Sequence, residues 1–516
     1  MTVSGDEVDV AGIGVGWVPA REGGPEGGTD MSTDMGIWPE GTGPSEERRS
    51  PRQVAHLTRE ERAARGKAAR SSASLASHAD VEPSSDRPDP IALLEGQAAS
   101  RVPELVPIRY GRMVTTPFAF YRGAALVMAS DLSRTPTPGL RTQICGDAHM
   151  TNFGVFGSPE RRLLFDLNDF DETAPGPFEW DVKRLAASLE IAGRGNGFKT
   201  KERRAVVLAA VQSYRESIRA FAQQGNLEVW YARLDVDQFL RDYRSLLPVE
   251  GARRTEAALA KARTRDSMNA LEKMTTIVDG RARIVGDPPL IETIEDLAPG
   301  RDRDDFMAEM RGVIRSYRTS LQPDRRHLLE QYRMVDMARK VVGVGSVGTR
   351  CFILLMEGVD GGDPLFLQAK EAQTSVLEEF TGTKTRGQAG QRVVHGQRLM
   401  QAASDIFLGW QQVDGLDGIR RDFYIRQLRD WKASLPPEQM VPAGMPIYGR
   451  LCGWTLARAH ARAGDRIAIA AYLGRKDTFD QAIADFAAAY ADQNEKDHAA
   501  LATAIRTGRI AAETSL

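Results

Sequence analysis

Only three cysteines occur in 516 residues, and Cys145, Cys351 and Cys452 stand far apart with no CxxC pair. That spacing excludes a disulfide framework and a zinc knuckle. Histidine is also scarce: seven in all, with no G-N-H or H-x-H, is a poor supply for the ligand set of a two-metal phosphatase. No apolar run approaches the roughly 20 residues needed to span a bilayer. The N-terminus lacks a basic start leading into an apolar stretch, so no signal peptide is expected. Neither charge is in excess, since 68 Lys and Arg face 70 Asp and Glu for a formal net charge of −2. A dedicated nucleic-acid binder would show a basic surplus. These absences leave a reduced, cytoplasmic, globular protein without membrane or nucleic-acid partners.

What is present is unevenly spread. Residues 1–55 are rich in Gly, Pro, Ser and Thr, and a segment so poor in large apolar side chains cannot offset its conformational entropy, so a disordered tail is expected there. A mainly helical stretch follows over 56–335, with apolar periodicity at 179–195, 201–224, 235–245, 252–275 and 303–319. It is interrupted by three short extended pieces, one ending at Gly146, one in "RRLLFDLNDFDE" and one in "ARIVGDPPLIETI" (282–294). Residues 336–435 are β-rich around a glycine-rich turn, with one helix at 391–404. Residues 436–516 return to helix, and the Leu/Ala stripe at 477–505 is a packing surface. The expected fold class is α+β.

Two clusters carry chemistry. In "CGDAHMTNFGVF" (145–156), Asp147 and Asn152 have the D-x-x-x-x-N spacing of a phosphotransferase catalytic loop. The Asp would take or orient the proton of an attacking hydroxyl, and the Asn oxygen would help hold Mg²⁺. An isolated pair of this kind is ordinary turn chemistry, but here a strand precedes it and acids follow at a second strand end. In "FDLNDFDE" (165–172), Asp169 is the expected metal ligand, with Asp166 and Asp171 as competitors; such oxygen donors suit a hard ion. His149 orders the loop, and His395 and His460 are structural.

The succession G-D-x-H-x-x-N, D-F-D and "WDVKRLA" resembles the catalytic core of aminoglycoside-phosphotransferase-type, protein-kinase-like enzymes. The resemblance implies Asp147 as base, Asn152 and Asp169 as magnesium ligands, and Asp181 opening a structural helix. Cys145 departs from it, standing where a His usually precedes the Gly-Asp. From about residue 55 to the end, "FAFYRGAA", "GDAHMTNFG", "DLNDFDE", "LQAKEA", "GQRVVHGQRLMQ", "FLGW" and "YIRQLRDWK" resemble, more specifically, a bacterial family of uncharacterised proteins, domain of unknown function 2252.

A kinase-like core implies a glycine-rich turn over the phosphates and a strand lysine, and nothing before residue 145 fits. Downstream, Gly343, Gly345 and Gly348 form a G-x-G-x-x-G array between strand-like segments, where backbone NH groups can approach phosphates. Lys370 follows late in the apolar "LFLQAKEA", where an ammonium is costly to bury without an anionic partner. The expectation is therefore a two-lobe, protein-kinase-like fold in circularly permuted order, with the 391–404 helix beside the Lys strand, "RDFYIRQL" as hinge and "GRLCGWTLARAHA" as the helix leading to the catalytic loop. Glu378 and Glu379 are the near acids, and Glu378 is taken as the partner of Lys370 in this reading; Arg122 in "FYRG" either faces an acid or a phosphate or is an exposed or structural residue. The function expected is an ATP- and Mg²⁺-dependent phosphotransferase acting on a small-molecule acceptor. The alternatives are a non-catalytic nucleotide-binding protein, a metal-dependent phosphoesterase, and adenylyl transfer.

Overall fold

In the computed structural model, which describes residues 56–81, 86–243, 249–264, 267–415, 417–428 and 431–515, the apolar periodicity of the sequence becomes a mixed α+β architecture. The tail expected at 1–55 lies outside the described residues. From Leu57 to Leu516 the chain holds together as one unit.

Four short strands frame the first motif. They are β1 (Arg141–Ile144), β2 (Phe153–Gly157), β3 (Leu163–Leu167) and β4 (Ala174–Pro177). β1 pairs antiparallel with β4 and β2 with β3, to which β5 (Leu234–Asp235) adds an edge. β2 and β3 are buried along their whole length, as the uninterrupted apolar runs of a strand covered on both faces require. The one charge inside them, Asp166, is satisfied: its carboxylate pairs with Arg458 and accepts the Ala402 and Leu167 amides, each at 2.8 Å.

Behind these strands lies a helical core. The Phe178–Gly195 helix is buried on nearly every side. Around it pack Thr200–Phe221, Met445–Ala463 and Thr478–Arg506, whose apolar residues share one cluster with Met150, Phe153, Leu167 and Phe170. The loops bearing the first motif thus rest on a rigid floor.

The β-rich region forms the other layer. After the small hairpin β6 (Thr275–Val278) and β7 (Arg281–Ile284), it comprises β8 (Ile291–Glu292), β9 (Tyr332–Lys340), β10 (Cys351–Gly358), β11 (Pro364–Ala372), β12 (Gly409–Asp414) and β13 (Arg420–Gln427). The sheet order is β12-β13-β11-β10-β9-β8, antiparallel throughout. Phe306, Ile314, Tyr317 and Leu329, from helices between residues 303 and 330, pack with Met337, Leu354, Leu367 and Ile425 of the sheet, so its core reaches back before residue 336. The Ala389–Met400 helix falls between β11 and β12 in the chain and packs against both of them and against β13.

Three elements differ from the sequence reading. The 252–275 periodicity divides into Val249–Arg263 and Ser267–Met274, and Thr275 already starts β6. β2 and β4 carry Gly and Pro within short runs, "FGVFG" and "APGP", and owe their strand form to the partner strands rather than to local propensity. Among the described residues no helix is long and apolar enough to cross a membrane.

Candidate functional site

The Asp147 loop is built from both sides. Gly146 adopts φ +82°, and a Cβ there would lie 2.6 Å from the Glu172 carbonyl oxygen; only glycine allows this turn and this approach. Asp181, in the first turn of the Phe178–Gly195 helix, accepts the Cys145 and Gly146 amides at 2.8 and 2.9 Å. The second ring of support is His460, 3.2 Å from the same carboxylate, whose other nitrogen meets the Tyr214 hydroxyl at 2.9 Å. Ser188 accepts the Met150 amide at 2.9 Å, and the Tyr448 hydroxyl donates to the Met150 and Phe153 carbonyls.

Within that frame the Asp147 carboxylate bonds Arg184 at 2.8 Å, one helical turn beyond Asp181. Burial raises the pKa of Asp147, while Arg184 works in the opposite direction. The Asn152 amide nitrogen donates to the Asp147 carbonyl at 2.7 Å, which leaves its oxygen as the atom for a ligand. His149 Nε2 lies 3.7 Å from Asp147 and its Nδ1 is 2.9 Å from the Thr151 hydroxyl. Burial, with Arg122 and Arg184 nearby, lowers its pKa well below the usual value and keeps it neutral.

The second loop is tied to the first, since the Asn168 amide donates to the Asn152 carbonyl at 2.8 Å. Beyond it Asp169 and Asp171 share one cation. Lys370 on β11 contacts Asp171 directly and lies 3.8 Å from Asp169. Tyr424, paired across the sheet with Lys370, donates to the other Asp171 oxygen at 2.7 Å. The Lys370 side chain is only 4% exposed against 32% for Asp169 and 26% for Asp171, so the ammonium forms the floor and the carboxylates the mouth. Burial and the neighbouring Asp171 raise the pKa of Asp169. Burial would raise Asp171 too, but Lys370 and Tyr424 bring it below the ordinary value. Arg426 donates to the Asn168 carbonyl at 3.2 Å and adds positive charge beside Asp169.

The glycine turn joins β9 to β10 and closes over this pair, its Ser346 hydroxyl 3.5 Å from Asp171. Gly343 and Gly348 have φ of +69° and +90°, and the Gly348 carbonyl accepts the Val102 amide at 2.8 Å. A Cβ on Gly345 would stand 3.1 Å from the Arg122 carbonyl oxygen.

The structure thus brings Asp147, Asn152, Asp169, Lys370 and the glycine turn together and leaves Glu378 aside. The Glu378 carboxylate accepts the Thr385 amide and hydroxyl and is 4.0 Å from Arg392; Asp171 is the partner of Lys370 instead. The helix beside the Lys strand contributes Arg392, which donates to the Asp171, Thr173 and Gln373 carbonyls at 2.7–2.8 Å. Asp166, closed in by Arg458, has no face left for an ion. Arg184, Tyr424 and Arg426 were missed, though spacing signals them: Arg184 is at i+3 from Asp181, and Tyr424 and Arg426 alternate onto one strand face.

Among the described residues no three His, Cys, Asp or Glu side chains cluster as a protein-only metal cage. The candidate donors are oxygens, buried Asn152 and partly exposed Asp169, which fits Mg²⁺, an ion commonly held by one or two carboxylates plus substrate phosphates.

The family model described as uncharacterised protein conserved in bacteria (DUF2252) matches residues 101–504. No curated protein and no solved structure matches the chain.

Proposed function

The chain belongs to this bacterial family, DUF2252, and from that premise we propose that it is an ATP- and Mg²⁺-dependent phosphotransferase with a protein-kinase-like core in circularly permuted order, acting on a small-molecule hydroxyl. The family description carries no activity, so the site itself supports the reading. The observation that carries it is the meeting of Lys370 with Asp171 and Asp169, the first pair 199 residues apart in the chain. The catalytic and acidic loops come first in sequence, and the glycine turn, Lys strand, helix and hinge strand come after. Sheet order supports the same reading, because β10, which follows the glycine turn, lies between β9 and the Lys strand β11, and β11 neighbours the hinge strand β13.

Each residue then has a task. Asp147, held by Arg184, takes the proton of the acceptor hydroxyl as its oxygen bonds to the γ-phosphorus of ATP. The bond from that phosphorus to the β-bridging oxygen breaks, and its electron pair leaves with ADP. Lys370 and the turn amides bind and orient the phosphates. Asn152 and Asp169 would hold Mg²⁺, which when bound neutralises phosphate charge.

The test is product analysis with ATP labelled at the α- or γ-phosphate, incubated with a panel of small hydroxyl compounds. Transfer of the γ-label by wild type and its loss in Asp147→Asn is the expected result. Transfer of the α-label instead makes the site an adenylyl transferase. Saturable ATP binding without any transfer makes the protein a nucleotide-binding module.

A further inference from the structure

Arg122 has a position the reading above does not use. It lies in the Pro117–Gly123 helix, between two carbonyls that each serve the site. The Tyr121 carbonyl accepts Arg184 Nη2 at 2.7 Å, and Arg184 in turn holds Asp147. The Arg122 carbonyl is the atom against which Gly345 of the glycine turn packs. The backbone here is therefore fixed from both lobes of the site.

The side chain is treated differently. Its Nε is buried and has no hydrogen-bond partner, and none of the ion pairs within 4 Å among the described residues involves it. Three carboxylates nonetheless act on its charge, Asp147 first and then Glu438 and Asp169, and the guanidinium in turn acts on His149. A guanidinium that interacts with the charges of the base and the metal carboxylate, on a residue whose carbonyl abuts the phosphate turn, yet is ion-paired to neither acid, is costly to keep. Its planar fork matches phosphate oxygens.

We propose that Arg122 is an anion-binding catalytic residue, which contacts the phosphoryl group in flight between ATP and the acceptor. The inference rests on the phosphotransferase reading and deepens it, and it can be tested apart from it. The bonds made and broken are those already given; Arg122 supplies charge to the equatorial oxygens and exchanges no proton. A residue in this place serves as an arginine finger provided within the same chain. It distinguishes ATP from ADP, because only the γ-phosphoryl group reaches it.

The experiment measures binding of Mg·ATP, Mg·ADP and inorganic tripolyphosphate to the full chain by calorimetry, for wild type, Arg122→Met and Arg122→Lys, with thermal midpoints alongside. Arg122→Met should weaken ATP and tripolyphosphate by roughly tenfold or more, leave ADP unchanged, and keep or raise the midpoint, since an unpaired, half-buried charge is removed. Arg122→Lys should fall between. Turnover, once an acceptor is known, should drop by about 10³-fold or more in Arg122→Met. Equal weakening of ATP and ADP, no change in either, or a lowered midpoint in both variants overturns the proposal. If wild type binds tripolyphosphate through Arg122 but not ATP, the anion site stands and the phosphotransferase reading falls. If tripolyphosphate does not bind, or binds independently of Arg122, the site falls.

Discussion

Lys370 places its ammonium against Asp171 and 3.8 Å from Asp169, joining the sheet to the loop that follows β3. One cation thereby compensates two acids that would otherwise repel each other. Charge around this pair sets both how the site holds together and what it can bind.

Replacing that cation should expose the repulsion. In Lys370→Met two neighbouring carboxylates lose their counter-charge, and removing one partner of a buried pair costs about 3 kcal/mol. Urea denaturation should show that loss, and Lys370→Met with Asp171→Asn should recover most of it without recovering nucleotide affinity. A double variant no more stable than the single one contradicts the pairing.

The base should titrate above the ordinary carboxylate range, because burial raises Asp147 even with Arg184 in contact. In the proposed transfer the ionised form is the active one, so turnover should fall as pH falls through that pKa. Arg184→Leu removes the charge that favours ionisation and should move this acid limb further upward. A pH–rate profile of ADP release measures it, and an unmoved limb argues against Asp147 as base.

Asp181 should matter to the loop more than to ligand contact. It accepts two backbone amides, at Cys145 and Gly146, and charge-assisted bonds contribute about 1.5–3 kcal/mol each. Asp181→Ala should therefore lose roughly 3 kcal/mol or more in chemical denaturation, and any folded variant should lose turnover in the proposed transfer more than ATP affinity. Unchanged stability would show that the loop is held elsewhere.

Acid should weaken the fold through His78. Its Nε2 is 2.6 Å from the Tyr472 hydroxyl, and burial, with Lys183 adding to it, pushes the imidazole pKa from 6.5 to about 3. The unfolded chain takes up a proton as pH drops below 6.5, whereas the folded chain does so only near 3. Stability contributed by this group is thus present above 6.5 and lost between 6.5 and 3, amounting to a few kcal/mol on the order of one for each unit. His78→Gln should flatten the slope of midpoint against pH in that window; an identical slope contradicts the assignment.

Much of this was legible because the motifs are local. Asp147, Asn152 and Asp169 lie within one short span, and their strand ends could be read from apolar runs bounded by Gly and Asp. Lys370 stood out as an ammonium within an apolar strand. Its partner did not, because the choice between Glu378 and Asp171 depends on a contact between chain-distant elements, for which sequence proximity is no guide. The same holds for His460, which reaches Asp181 from a helix 279 residues away. Its imidazole meets the same Asp181 oxygen that accepts the amide of Cys145, the residue at which the motif departs from the pattern it resembles. Arg392 shows a subtler limit: periodicity places it on the helix beside the Lys strand, but its use of three carbonyls depends on how the acidic loop turns.

Calorimetric titration of wild type, Asp169→Ala and Lys370→Ala with Mg·ATP is the most direct measurement of the site as a whole. Saturable binding by the wild type, with affinity lost in both variants while each remains folded, is the expected result. Equal binding by all three proteins, or none by any, contradicts a nucleotide site built from Lys370 and the Asp169 loop.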